Sequence, residues 1–128
     1  MKSVFKISFI LLIANLLLPF AAFADGDAAS GEALFQKKCK ICHTNEKGEK
    51  AKIGPNLYGV YERKSGHFED YKYSKNMLDA NLTWDDATLD AYLTKPKDVV
   101  PKGKMVFAGF KKEQDRQDII AYLKSLHD

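Results

Sequence analysis

Cysteine is scarce in this chain of 128 residues, which has only two. Two thiols cannot form a disulfide scaffold, and they fall short of the four ligands that close a structural zinc site. Tryptophan occurs once and proline four times. Charge of one sign is not in large excess either, with 20 Lys and Arg against 17 Asp and Glu. That balance, with no recognisable binding motif, removes the usual signature of a nucleic-acid-binding protein. Alternating apolar and polar stretches are short, so no strand signal survives, and there is no internal repeat or low-complexity tract.

The two cysteines lie together, in Cys39-Lys40-Ile41-Cys42-His43. Two thiols three positions apart reach both vinyl groups of one porphyrin, and the following histidine offers a neutral imidazole nitrogen to iron. The pentapeptide therefore predicts one haem c, covalent through Cys39 and Cys42, with His43 as the proximal ligand. A zinc ribbon fits poorly, because His67 and His127 are too scattered to complete a finger spacing. A thioredoxin-like redox site wants the motif to open a helix after a strand, whereas Phe35 to Lys38 reads as the last turn of a helix.

The one long apolar run, Ile7 to Leu18, follows Lys2 and Lys6 and precedes Ala22-Phe23-Ala24. This order reads as a secretory signal peptide, residues 1–24, cleaved after Ala24 and leaving a single domain over residues 25–128. An uncleaved anchor is the competing reading, but the run is short of about 20 residues and Asn15 and Pro19 interrupt it. Export implies a periplasmic location, where c-type haem is attached and two free thiols would otherwise be exposed to oxidation.

Without Lys2 and Lys6 the charge balance is 18 to 17 and its distribution matters more than its sum. Gln36 to Lys52 carries six lysines against Glu46 and Glu49, and Lys95 to Lys112 carries six against Asp98. Glu69 to Asp90 holds six carboxylates against Lys72 and Lys75. The basic segments flank the expected haem ligands, so the expected docking surface is a lysine-ringed haem edge that attracts acidic partners.

Residues 25–128 read as helices joined by loops. Ser30 is expected to cap a first helix that turns Leu34 and Phe35 inward. Thr83 is expected to cap a middle helix carrying Leu89, Tyr92 and Leu93 on one face, with Asp86 at the capping-box position and Pro96 closing it. A last helix runs from about Glu113 to Leu126, and a shorter turn spans Ser74 to Ala80. Beyond residue 24 there are two methionines. Met77, followed by Leu78, suits core packing, whereas Met105 stands in the loop Pro101-Lys102-Gly103-Lys104-Met105, where packing explains it poorly. Met105 is therefore the expected sixth ligand to iron.

These features together resemble a class I cytochrome c of the mitochondrial and related bacterial type. The resemblance covers nearly all of Gly31 to Leu126. It is carried by Gly31 and Phe35, Cys39 to His43, Gly54-Pro55-Asn56-Leu57, Arg63, Gly66, Tyr73, Thr83-Trp84, Tyr92-Leu93, Pro96, Pro101 to Met105, Phe107-Ala108-Gly109 and Ala121-Tyr122-Leu123. It implies an all-α fold wrapped around one haem. It also implies that the Pro55 carbonyl accepts the His43 proton, that Tyr92 bonds the ligating sulfur, and that Arg63, Tyr73 and Trp84 are partners of the haem propionates. Gly31 and Phe35 match the family's contact between first and last helices. Two positions depart from the pattern: Gly103 replaces a frequent threonine and Met77 a frequent asparagine.

The function implied is outer-sphere electron transfer by a non-enzymatic, monomeric carrier. Its partners would be a quinol-oxidising complex and an oxidase, reductase or photosynthetic centre. A dedicated haem subunit of a periplasmic dehydrogenase or peroxidase system would look alike in sequence, and a retained leader would make the carrier membrane-tethered.

Overall fold

The computed structural model describes residues 25–128, so the expected signal peptide lies outside the described residues. Five helices follow in order: α1 (Ala28–Lys38), α2 (Lys75–Ala80), α3 (Asp86–Thr94), α4 (Pro96–Val99) and α5 (Glu113–Ser125). Among the described residues the only strand-like pairing is an isolated bridge between Lys64 and Thr83. No helix there is long and apolar enough to cross a membrane.

The first and last helices form the frame. Gly31 is the point of closest approach: a Cβ built on it would stand 1.9 Å from the Asp118 carbonyl oxygen and 2.8 Å from the Tyr122 Cβ. One turn on, the Phe35 and Tyr122 rings meet at 5.3 Å. Phe35, Val100, Ile119 and Ile120 are the most deeply buried apolar residues, so the core sits between this helix pair and the α3–α4 corner. Arg116 ties α5 to α3 by donating to Asp90 at 2.8 Å and to the Phe110 carbonyl at 3.0 Å.

Two expected caps are corrected. The N-cap of α1 is Asp27, whose carboxylate accepts from the Ala29 and Ser30 backbone amides at 3.2 and 3.1 Å. Ser30 lies one turn inside, donating its hydroxyl to Asp27. The start is displaced because α5 holds it: the Asp27 amide donates to the buried Asp118 carboxylate at 2.8 Å. The N-cap of α3 is Asp85, which accepts from the Thr88 amide at 2.8 Å. Thr83 is held extended in its bridge to Lys64, and the Trp84 amide donates to the Arg63 carbonyl at 2.9 Å. Asp86 is thus freed from capping and pairs with Lys124 at 2.7 Å. Pro96 lies beyond the end of α3 and opens α4 at the first helical turn, where a missing N–H costs nothing.

Candidate functional site

A cavity of about 250 Å³ opens between the end of α1, the loop 53–57, helices α2 and α3, and the loop 104–107. Cys39, Cys42, His43, Pro55, Tyr73, Trp84, Tyr92 and Met105 all line it, although they come from widely separated parts of the chain.

The cysteine motif reaches the cavity as a continuation of α1. The Cys39 and Lys40 amides both donate to the Phe35 carbonyl, and those of Cys42 and His43 donate to the Cys39 carbonyl at 3.0 and 2.9 Å. Burial first, and Cys42 second, push the Cys39 thiol up to about 11, so the free side chain is neutral and not activated as a thiolate redox nucleophile. The next loop is laid against the motif by the Gly54 amide donating to the Cys42 carbonyl at 2.8 Å and the Leu57 amide to Thr44 at 2.9 Å. Asn56, almost wholly buried, locks it from behind by donating to the Glu46 and Glu49 carbonyls at 2.8 and 2.9 Å.

That loop presents the Pro55 carbonyl to His43. Their separation is 2.8 Å, and since a carbonyl only accepts, His43 Nδ1 carries the proton and Nε2 keeps its lone pair. Burial lowers the His43 pKa against the opposing effect of that bond, which favours the neutral, ligating imidazole. Gly54 makes room for the ring: a Cβ there would fall 2.5 Å from His43 Cε1.

Another part of the wall is built by the Met105 loop. After α4 the Gly103 amide donates back to the Val100 carbonyl at 3.1 Å, and Lys102 takes a left-handed backbone, φ 60°, that turns the chain before Met105. Lys104 straps the loop across the mouth, donating to the Lys72 carbonyl and lying 5.7 Å over the Tyr71 ring. Tyr92 is pushed up to about 12 by burial, then by Tyr71, so its hydroxyl remains a proton donor. Its ring packs 4.9 Å from that of Trp84.

Arg63 is the one expected site residue that the fold does not bring to the cavity. Its side chain is exposed and lines a separate cleft with Glu62, Lys124 and His127. The chain turns at Glu62, φ 62°, and its backbone is fixed by the Glu62 amide donating to the Trp84 carbonyl at 2.9 Å.

Other lining residues escape a reading by motif. Met77, expected as core, is buried at α2 and also faces the cavity, giving it a second thioether. His67 lines the cavity from an irregular loop where no sequence signal marks it. Ile41, Ile53 and Val106 also line it, yet they are 74%, 73% and 92% exposed, so apolar side chains surround its mouth. No Asp or Glu belongs to the wall among the described residues.

Covalent attachment points, a neutral imidazole with a free lone pair, a thioether and an apolar interior fit a haem. The chain's relatives agree. The sequence model of the cytochrome c family matches residues 28–127. Cytochrome c of Theileria parva is 52% identical over 106 residues, spanning 83% of this chain and 91% of that protein. Cytochrome c of Chlamydomonas reinhardtii is 50% identical over 105 residues, covering 82% and 94% of the two chains. Cytochrome c2 of Rhodomicrobium vannielii is 46% identical over 114 residues, covering 89% and 90%. This chain therefore belongs to the cytochrome c family and has its class I all-α fold, and it is an electron carrier, not an enzyme, that holds haem c covalently through Cys39 and Cys42.

Proposed function

We propose that the protein is an exported, diffusible one-electron carrier whose iron is held between His43 and Met105. The observation that carries this reading is the bond from His43 Nδ1 to the Pro55 carbonyl, which leaves the Nε2 lone pair free beside a cavity that Met105 also lines. The haem supplies an iron that gains and loses one electron. Pro55 fixes the imidazole orientation and raises its basicity. Met105 offers a soft sulfur that favours the ferrous state, and the Tyr92 hydroxyl is the donor expected to hold that sulfur in place. Leu57, Val60, Leu89 and Leu93 keep the cavity apolar, which disfavours the extra ferric charge. Trp84, Tyr73 and Arg63 are the proposed propionate partners.

Docking is assigned to the mouth of the cavity, where Lys38 and Lys104 flank the exposed Ile41, Ile53 and Val106. Much of the acidic segment is occupied elsewhere, Asp86 by Lys124 and Asp90 by Arg116. The proposed partners, a quinol-oxidising complex and an oxidase, reductase or photosynthetic centre, would present acidic surfaces to the lysines. Bimolecular electron-transfer rates are expected to fall as ionic strength rises through the range where screening shortens to about 10 Å. Lys38→Gln should slow the reaction at low salt more than Lys124→Gln, measured by stopped-flow absorbance. Rates indifferent to salt and to both substitutions would remove the docking assignment.

Export rests on residues 1–24, with Lys2 and Lys6 ahead of the apolar run, and a bacterial cytochrome c2 among the relatives accords with it. Sequencing the purified protein should return Asp25 as its first residue. A chain beginning at Met1 in the membrane fraction would make it a tethered carrier instead.

A further inference from the structure

His67 has no role in the reading above, yet it lies in the wall of the haem cavity. Its Nδ1 is 3.0 Å from the Lys64 carbonyl and must donate there, which leaves Nε2 for another partner. The loop that carries it is fixed beside α2. Gly66, at φ 78°, packs so closely on Leu78 that a Cβ would stand 2.4 Å from its Cδ2.

The charges around the imidazole are one-sided. Arg63 and Lys64 belong to its own loop, Lys38 and Lys104 reach the same cavity from the end of α1 and the Met105 loop, and Tyr71 and Tyr73 contribute phenols. No carboxylate lines this cavity among the described residues. Burial first, and Arg63 after it, lower the His67 pKa, while the bond to Lys64 opposes them. A haem brings two carboxylates into a cavity whose polar lining is basic or hydrogen-bond donating. They are the anions such a wall lacks.

We propose that His67 is a further haem-binding residue, its Nε2 donating to a haem carboxylate when protonated and taking up that proton more readily when the iron is ferrous. This inference rests on the haem-carrier reading and adds a proton to it. Reduction takes one electron from the redox partner and, where His67 is neutral, one proton from solvent, and oxidation returns both. The cause is Coulombic. Reduction removes one positive charge from a low-dielectric cavity that the imidazolium shares. At an effective dielectric constant of about 20, a unit charge about 12 Å away is worth a factor of about ten in proton affinity.

The sign follows directly. Below the ferric-state pKa of His67 both redox forms are protonated, and above the ferrous-state pKa both are neutral, so the potential is flat in both ranges. Between the two values the potential falls as pH rises. A tenfold difference in affinity makes the whole fall about 59 mV for one electron.

The test is the midpoint potential of the haem-bearing protein between pH 5 and 8, with the His67 ring titrated by NMR in both redox states. The His67 midpoint should lie about one pH unit higher in the ferrous protein. His67→Gln, which keeps an N–H donor but does not titrate, should flatten that stretch of the potential curve, whereas the exposed His127→Gln should leave it unchanged. Equal His67 midpoints in the two states, or a curve unaltered by His67→Gln, overturn the inference while the low-spin haem spectrum upholds the carrier reading. A chain that retains no haem overturns both.

Discussion

Met105→Ala is expected to leave the haem covalently attached while abolishing the near-infrared sulfur-to-iron charge-transfer band of the ferric protein. Loss of the thioether removes the ligand that favours ferrous iron, so the potential should fall by on the order of 0.1 V within the roughly 0.8 V that axial ligation spans. An open coordination position should also raise peroxidase activity at least about tenfold. The competing thioether gives the decisive control. Met77 lines the same cavity but is buried in a helix, packed into the core with Trp84 and Leu89. Met77→Ala should keep the band and lower stability through the space it leaves. If the band instead vanishes in Met77→Ala and survives in Met105→Ala, the ligand assignment is wrong.

Gly31→Ala should be strongly destabilising, although alanine is the better helix former by about 1 kcal/mol. The added methyl would fall 1.9 Å from the Asp118 carbonyl oxygen and 2.8 Å from the Tyr122 Cβ, so α1 and α5 must separate. The obstacle is backbone and cannot rotate aside. Overpacking of this kind costs about 3 kcal/mol, which exceeds the propensity gain and leaves a net loss of about 2 kcal/mol. For a domain of this size that corresponds to a thermal midpoint lowered by roughly 10 °C. Thermal unfolding of the haem-bearing protein followed by far-UV circular dichroism measures it, and an unchanged midpoint would show that the helix crossing tolerates a Cβ.

How much was legible in advance varies with the range of the interactions. The course of α5 is visible from Ile119, Ile120, Tyr122 and Leu123, because an apolar stripe at helical spacing is a local pattern. The caps at Asp27 and Asp85 were not visible, and Ser30 and Thr83 were expected in their place. Both are competent capping residues, but α5 reaches across to hold the Asp27 amide, and Lys64 holds Thr83 extended. Arg63 illustrates the same limit at the site. Its place in the motif order is right, but the left-handed turn at Glu62 leaves its side chain in another cleft. His67 carried no signal at all, since a lone histidine in an irregular loop acquires meaning only from the wall it joins.

By itself the sequence determined the chemistry of attachment. Two thiols and an imidazole within five residues meet one porphyrin whatever the rest of the chain does, because so short a segment fixes their mutual reach. It also determined the helical periods and, through Gly31, where two helices come close. Only the tertiary structure decided how the Pro55 loop is laid against His43 and which side chains, His67 and Met77 among them, share the cavity. Those choices join Cys42 to Gly54, Glu62 to Trp84 and Asp27 to Asp118. Contacts between positions so far apart in the chain depend on closing long loops, and local residue preference carries no information about which closures win.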